Sequence, residues 1–182
     1  MSLYPAVFLD RDGVLNEDRG YVWRWADWRW LPDVVEALIQ LKAAGFKLVI
    51  VTNQAGVAKG LYQETDVQKL HQRVALELNK RGLKLDGFYY CPHHPDYGGP
   101  CQCRKPAPGL IQRAAKDLSL NLDQSFLVGD KVTDLEAGRQ AGVTSFLVRS
   151  GYGQISEGLV PPHVLVFDHL AAATRHILKI TS

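Results

Sequence analysis

The chain has 182 residues, 46% of them hydrophobic and 22% charged, which is typical of one globular domain with a sizeable core. Its net charge of +2 argues against nucleic acid or a membrane surface as the main partner, and no apolar run approaches the ~18 residues of a membrane span. Because no secretion signal is evident at the N-terminus, we expect a cytoplasmic protein whose three cysteines are reduced.

Apolar runs alternate with helical patterns along the chain. Val34, Leu38 and Leu41 show helical spacing, and Thr65 is placed to cap the second helix. This alternation predicts an α/β fold with a doubly wound parallel sheet, formed by residues 1–182 as a single domain without a separate cap. The expected strands are 6–10, 47–52, 87–91, 125–129, 144–148 and 164–167, and the expected helices are 33–44, 65–80, 108–118, 133–141 and 169–179.

Reactive side chains follow four of the predicted strands. These strand exits carry Asp10 and Asp12, then Thr52 and Asn53, then Cys91, then Asp130. In open α/β sheets the ligand lies beyond the carboxyl ends of the strands, so we expect several of these exits to share one crevice. Two aspartates one residue apart before a glycine can hold Mg²⁺ and attack phosphorus, although the same pattern also occurs in turns and calcium loops.

Five residues form a coherent set for phosphoryl transfer, namely Asp10, Asp12, Thr52, Lys105 and Asp130. The barrier in this chemistry is mainly charge, because phosphate oxygens repel an anionic nucleophile. Asp10 and Asp130 can bind Mg²⁺, while Thr52 and Lys105 can hold phosphoryl oxygens. Asp12 is then placed to protonate the leaving oxygen and later to activate water.

The loop 91–103 contains every cysteine of the chain and two adjacent histidines. Its candidate zinc ligands are Cys91, His93 or His94, Cys101 and Cys103. Cys-x-His and Cys-x-Cys supply four ligands suited to tetrahedral Zn²⁺. The alternative, buried thiols with two loop histidines, is disfavoured because this Gly- and Pro-rich segment has little apolar material to bury them. Zinc here would be structural and would aim Arg104 and Lys105 at the crevice.

Four motifs in this order resemble those of the haloacid dehalogenase superfamily of aspartyl phosphatases. They are D-R-D-G-V at 10–14, V-T-N at 51–53, the lysine of R-K-P at 104–106, and G-D-K-V-T-D at 129–134. The resemblance covers nearly the whole chain and implies a Rossmann-like phosphatase fold. It implies a phosphoaspartate on Asp10, with Asp12 as general acid/base and with Thr52 and Lys105 as phosphoryl stabilisers.

The same resemblance implies that Mg²⁺ binds to Asp10, Asp130 and the backbone carbonyl of Asp12. Lys131, next to Asp130, is either a support of the metal site or a surface charge. Asp134 is either a carboxylate favoured by the helix dipole or, as the superfamily implies, a residue that orients Lys105 or the metal shell.

The zinc loop is similar to that of two families within this superfamily, the D-glycero-D-manno-heptose 1,7-bisphosphate 7-phosphatases of lipopolysaccharide precursor synthesis and the histidinol-phosphate phosphatases. Residues 18–22 and 51–60 match the heptose pattern better, whereas the short stretch between His93 and Cys101 is nearer the histidinol relatives. The resemblance selects His93 as the zinc ligand and implies heptose bisphosphate as the substrate, with histidinol phosphate as the alternative. The substrate contacts that it implies are Asp18, Arg19, Gly20, Tyr21, Thr52, Asn53, Gln54, Ala55, Arg104 and Lys105.

Two loops, 13–32 and 91–103, are expected to shape the substrate pocket. The first contains all four tryptophans, whose paired alternation predicts a short ribbon. We interpret them as a local aromatic cluster that takes the place of a hydrophobic core in this loop. The alternative is that they line the pocket and contact the sugar. Arg104 is expected to grip a second phosphate, because a guanidinium forms two parallel hydrogen bonds to it. Lys59 is expected to be a solvated charge, and His71 is expected to be a surface or helix-face residue rather than part of the chemistry.

Two other classes of protein are weighed and disfavoured. A non-catalytic zinc-loop module, such as a nucleic-acid binder, does not need the five phosphoryl-transfer residues and would carry more positive charge. A phosphomutase shares the phosphoaspartate step but needs a cap that excludes water. We therefore expect a monomeric, Mg²⁺-dependent phosphatase with structural zinc, acting on a small phosphorylated sugar.

Overall fold

The computed structural model describes residues 3–181, and within that range six strands form one sheet in the order β3-β2-β1-β4-β5-β6. The strands are β1 Ala6–Leu9, β2 Lys47–Asn53, β3 Gly87–Cys91, β4 Phe126–Gly129, β5 Thr144–Val148 and β6 Val166–Phe167. Every pairing between them is parallel. The strand order reverses beside β1, which places the ligand-binding crevice of such a sheet at the carboxyl ends of β1 and β4.

Helices cover both faces of the sheet. They are α1 Val34–Ala43, α2 Glu64–Asn79, α3 Gly109–Leu118, α4 Val132–Ala141, α5 Gly153–Ser156 and α6 Leu170–Thr181. Because successive strand residues point to opposite faces, Val7 and Leu9 pack against α1, α2 and α6, whereas Ala6 and Phe8 pack against α3 and α4. The predicted doubly wound α/β fold is therefore confirmed. Within residues 3–181, each helix is too short or too polar to cross a bilayer.

Two local predictions are wrong. Helix α2 begins at Glu64 rather than after Thr65, because the Asp66 carboxylate accepts a hydrogen bond from the backbone N–H of Gln63 at 3.0 Å and so fixes Gln63 as the capping residue. The tryptophan segment forms a 3-10 turn at Trp25–Asp27 instead of a ribbon.

The tryptophan cluster itself is present. Trp28 is buried, and Trp25 and Trp30 pack beside it against the core at ring-centroid distances of 6.2 and 5.0 Å. The loop 13–32 is thus anchored by aromatic burial together with one antiparallel bridge between Asn16 and Trp30.

Candidate active site

A cleft of about 610 Å³ opens at the carboxyl ends of β1 and β2. The expected site residues that line it are Asp10, Asp12, Asp18, Gly20, Tyr21, Thr52, Asn53, Ala55, Arg104, Lys105 and Lys131. Asp130 is completely buried, and one of its carboxylate oxygens lies within 4.8 Å of an oxygen of Asp10, which lines the cleft. The strand exits therefore meet at one place, as the parallel sheet requires.

Lys105 is the buried cation of this site. Its Nζ donates to Asp10 Oδ1 at 2.8 Å and to the Val51 carbonyl at 2.7 Å, and it lies 2.6 Å from Asp134 Oδ1. Burial lowers the pKa of Lys105, but the charges of Asp10 and Asp134 outweigh burial and leave it above its usual value. Lys105 is therefore a fixed positive charge at the carboxylate of Asp10.

Asn53 fixes the backbone of this lysine to the end of β2. Its Nδ2 donates to the Lys105 carbonyl at 3.0 Å, while its Oδ1 accepts from the Lys105 N–H, also at 3.0 Å. Because both groups of one amide are used, the position of Lys105 depends on β2 as well as on the loop that precedes it.

Only one of the two carboxylate oxygens of Asp130 has a hydrogen-bond partner among residues 3–181. Its Oδ2 accepts from the backbone N–H of Tyr152 at 2.8 Å, but its buried Oδ1 has no hydrogen-bond partner. Burial, and next the negative charge of Asp10, raise the pKa of Asp130 to about 8. Such a carboxylate is costly unless a cation compensates it.

A divalent metal fits this place. One carboxylate oxygen from each of Asp10, Asp130 and Asp134 lies within 4.8 Å of the others. Oxygen ligands of this kind suit Mg²⁺, and the unpaired Asp130 oxygen is a further reason to expect an ion. The side chain of Asp12 does not belong to this cluster, which leaves its backbone carbonyl as the ligand atom expected from the sequence.

Both interpretations of Asp134 agree with its contacts. Its Oδ1 lies 2.6 Å from Lys105 Nζ, while its Oδ2 accepts from the backbone N–H of Lys131 at 3.0 Å and caps α4. Asp134 therefore orients the buried lysine and starts the helix at the same time.

Two glycines make the close packing around Asp130 possible. Gly13 has φ +90° and Gly151 has φ +61°, and a Cβ at either position would collide with the Asp130 carboxylate. The turns after β1 and β5 can thus approach Asp130 only because these residues lack side chains.

The carboxylate of Asp12 is held by Arg11, which is completely buried. Arg11 Nη2 donates to Asp12 Oδ2 at 2.9 Å and to Oδ1 at 3.1 Å, and Asn16 Nδ2 donates to Oδ1 at 2.9 Å. Behind Arg11 lies His71, whose Nε2 is 3.3 Å from Arg11 Nη1. Burial, and then the Arg11 charge, lower the pKa of His71 to about 3, so its neutral ring accepts this bond. His71 therefore lies on the buried face of α2 as a partner of Arg11, which confirms the expected helix-face position and excludes the surface alternative.

The four expected zinc ligands also come together. Cys91 Sγ lies 3.5 Å from Cys101 Sγ and 3.0 Å from Cys103 Sγ, and His93 Nδ1 lies 3.3 Å from Cys103 Sγ. Zinc–sulfur bonds of ~2.3 Å give sulfur–sulfur edges of ~3.8 Å in a tetrahedron, so these donors are spaced for one Zn²⁺ ion. His94 lies outside the cluster and lines the cleft instead.

Lys131 and Arg104 each anchor one wall of the cleft. Lys131 Nζ donates to Asp18 Oδ2 at 3.2 Å and lies 4.5 Å from the centre of the Tyr152 ring. Arg104 Nη1 donates to the carbonyl of His93 at 3.1 Å. Lys131 is thus not a plain surface charge, because its ammonium pairs with Asp18 and its positive charge acts on the pKa of Asp130.

Two of the residues expected to contact substrate do not line the cleft, Arg19 and Gln54. Arg19 lies exposed on the loop, and Gln54 is turned inward and is only 3% exposed. Conversely, Lys59 and Tyr152 line the cleft, although Lys59 is expected from the sequence to be a solvated charge and Tyr152 belongs to none of the motifs. Lys59 lies in the 51–60 stretch and could have been selected by its charge, but Tyr152 lies in a loop without any pattern.

Similarity to known proteins agrees with this geometry. The family model described as HAD-hydrolase-like matches residues 102–173. The chain is 46% identical over 153 residues to the D-glycero-beta-D-manno-heptose-1,7-bisphosphate 7-phosphatase of Photorhabdus laumondii, which covers 81% of each chain. It is 47% identical over 159 residues to the protein of the same name from Haemophilus ducreyi, with 84% of this chain and 87% of that one covered. The chain belongs to this phosphatase family.

A solved structure extends the likeness to the whole fold. The D,D-heptose 1,7-bisphosphate phosphatase from B. bronchiseptica, complexed with magnesium and phosphate, superposes with a TM-score of 0.89 at 34% identity and covers 97% of this chain and 99% of that one. The predicted superfamily, the phosphatase class and the fold are thus confirmed for this member of the family.

Proposed function

We propose that the chain removes the 7-phosphate of D-glycero-D-manno-heptose 1,7-bisphosphate, as a step in the synthesis of lipopolysaccharide and nucleotide-heptose precursors. The main support is the buried Asp10–Lys105 pair at the floor of a polar cleft, in a chain that is 42–47% identical to curated phosphatases of that name. Their names specify the beta anomer, which is the anomer we propose here.

In the first step, the free oxygen of the Asp10 carboxylate attacks phosphorus. Lys105 holds the other oxygen, Oδ1, at 2.8 Å and keeps the carboxylate aimed into the cleft. The bond between phosphorus and the sugar oxygen breaks, and Asp12 gives its proton to that oxygen. The Thr52 hydroxyl donates to a phosphoryl oxygen, and the nearby positive charge of the Lys105 ammonium helps to compensate the phosphoryl charge during transfer.

In the second step, water attacks the phosphorus of the phosphoaspartate. Asp12 takes the proton of this water, the Asp10–phosphorus bond breaks, and phosphate leaves. We propose Asp10, Asp130 and the Asp12 carbonyl as ligands of Mg²⁺, which when bound shields the phosphoryl charge from Asp10.

The second phosphate of the substrate needs cations of its own. Arg104 and Lys59 line the same cleft, and the hydrogen bonds that they donate go to uncharged groups, the His93 carbonyl and the Tyr21 hydroxyl. Lys59 Nζ donates to the Tyr21 hydroxyl at 2.9 Å, which holds the ammonium at the cleft wall. We propose that these two cations bind the 1-phosphate and that Asp18, Gly20, Tyr21 and Ala55 form the sugar-facing wall.

The decisive experiment is phosphate release from the beta anomer of heptose 1,7-bisphosphate. We expect heptose 1-phosphate as product, dependence on added Mg²⁺, and no turnover by Asp10→Asn. A preference of at least ~100-fold in kcat/KM over histidinol phosphate is expected, equal to about 2.7 kcal/mol of transition-state discrimination. The reverse preference would overturn the substrate assignment in favour of histidinol phosphate.

The single-domain organisation of residues 1–182, the monomeric state and the cytoplasmic location remain proposals that rest on the sequence. Light scattering tests the monomer, and limited proteolysis tests the single domain.

A further inference from the structure

Gln54 lies beside the proposed catalytic residues but does not reach the cleft. Its Nε2 donates to Asp12 Oδ2 at 3.0 Å and to Thr52 Oγ1 at 3.0 Å, while its Oε1 accepts from the Tyr62 hydroxyl at 2.9 Å. All three bonds of this buried amide are therefore made within the protein.

The donor and acceptor roles in this network are fixed by chemistry. In the ion pair with Arg11 the Asp12 carboxylate only accepts, so Gln54 turns its nitrogen toward Asp12 and its oxygen toward Tyr62 in this state. Burial raises the pKa of Tyr62 to about 12, and its hydroxyl therefore keeps the proton that it donates. Asp12 thus selects one of the two orientations of the Gln54 amide, and the Tyr62 hydroxyl stabilises that orientation by donating to Oε1.

The orientation has a consequence for Thr52. Its oxygen already accepts a hydrogen from Gln54, so its own hydroxyl hydrogen must point elsewhere. Because Thr52 lines the cleft, that hydrogen is available to a phosphoryl oxygen there. An amide in the opposite orientation would instead accept from Thr52 and take this hydrogen away from the cleft.

Tyr62 is itself held rigidly. Its ring stacks on Trp23 with a centroid distance of 5.9 Å and an interplanar angle of 21°. On its other side it approaches the backbone of Gly56 so closely that a Cβ there would collide with the ring. The Tyr62 hydroxyl is therefore held in one position, from which it donates to the Gln54 amide.

We infer that Gln54 and Tyr62 are positioning residues, which form a hydrogen-bond relay that orients Asp12 and the Thr52 hydroxyl for phosphoryl transfer. This inference rests on the proposed roles of Asp12 and Thr52. It differs from the sequence-based expectation, in which Gln54 contacts the substrate.

Kinetics of Tyr62→Phe and Gln54→Met test the relay. Tyr62→Phe removes one oxygen, and Gln54→Met keeps the side-chain length but removes both donors. We expect kcat for the heptose bisphosphate to fall about tenfold in Tyr62→Phe and about 100-fold in Gln54→Met, with KM within about twofold of wild type. Tyr90→Phe is the matched control, because it also removes a hydroxyl but one that bonds to the surface residue Glu64 at 2.8 Å.

The double variant distinguishes a hydrogen-bond relay from two independent packing defects. If Tyr62 acts through Gln54, adding Tyr62→Phe to Gln54→Met changes kcat by less than about twofold, whereas independent packing defects would multiply. A rise in KM with unchanged kcat would make Gln54 a substrate contact, and a Tyr62→Phe enzyme that matches Tyr90→Phe would remove the relay. If Gln54→Met fails to fold, the comparison of Tyr62→Phe with Tyr90→Phe still tests the relay. If wild type does not hydrolyse the heptose bisphosphate, the proposed function fails, and p-nitrophenyl phosphate still tests the relay.

Discussion

Replacing Asp130 by asparagine should stabilise the magnesium-free protein and abolish its activity. The Asp130 carboxylate is completely buried, one of its oxygens has no partner, and its pKa is raised to about 8. Its pKa in the unfolded chain is near 3.8, so between these values the folded state binds the proton more tightly. The stability of the magnesium-free protein therefore falls as pH rises from about 4 to about 8.

The size of the effect follows from the same shift. Each unit of pKa difference corresponds to about 1.4 kcal/mol, so the shift of roughly four units sets an upper limit near 6 kcal/mol at pH 8. Relaxation around the charge reduces this figure, and we expect Asp130→Asn to be more stable than wild type by at least about 2 kcal/mol. An asparagine can still accept from the Tyr152 N–H and can donate toward the other carboxylates.

The assay is urea unfolding of both proteins at pH 5 and pH 8 in magnesium-free buffer that leaves the zinc loop loaded. The advantage of Asp130→Asn should be larger at pH 8. Saturation with Mg²⁺ at about 100 times its Kd should stabilise wild type by about 2.7 kcal/mol and leave the variant unchanged. Asp123→Asn removes an exposed carboxylate and serves as the control.

A lower stability of Asp130→Asn than of wild type at pH 8 without magnesium would show that the buried Asp130 charge does not destabilise the folded state. A stability difference that did not vary with pH would be equally damaging, because it would show that the buried charge is not the cause.

Three further changes are expected to give distinct results. Lys105→Met should lower the free energy of unfolding in urea by about 3–5 kcal/mol, because it leaves buried carboxylates unpaired. Adding Asp134→Asn should recover stability but not phosphate release. A double variant as unstable as Lys105→Met would contradict the pairing of Lys105 with Asp134. Cys103→Ser should lower the zinc content from one ion per chain, measured by elemental analysis, and lower the Tm; unchanged zinc would exclude Cys103 as a ligand. Arg104→Ala and Lys59→Ala should each raise KM for the bisphosphate at least about tenfold more than for a monophosphate, and equal effects on both substrates would remove them from the second phosphate site.

Most of the fold follows from patterns that depend on neighbours in sequence. Apolar runs such as β2 and the helical spacing of α1 are local features, and the expected sheet results from their alternation. The capping of α2 at Gln63 rather than Thr65 was missed because glutamine is not a preferred capping residue, and only the contact with Asp66 selects it.

The candidate site was predictable where one residue type has one chemical use. Asp10, Lys105 and the cysteines belong to motifs whose chemistry leaves few alternatives. The direction in which a polar side chain points, and how deeply it is buried, were not predictable in this way. Gln54 and His71 are polar residues that the sequence places near the surface or the substrate, but the fold turns both inward to bond with partners far along the chain.

The zinc loop ends directly at the residues that face the substrate. Cys103 precedes Arg104 and Lys105, and the Arg104 guanidinium bonds to the carbonyl of the zinc-facing His93. A zinc ion held by these ligands would therefore fix the positions of two cations that are proposed to act together with Mg²⁺. Oxidation of the thiols, or shortage of zinc in the growth medium, is therefore expected to silence turnover while the aspartates remain chemically intact.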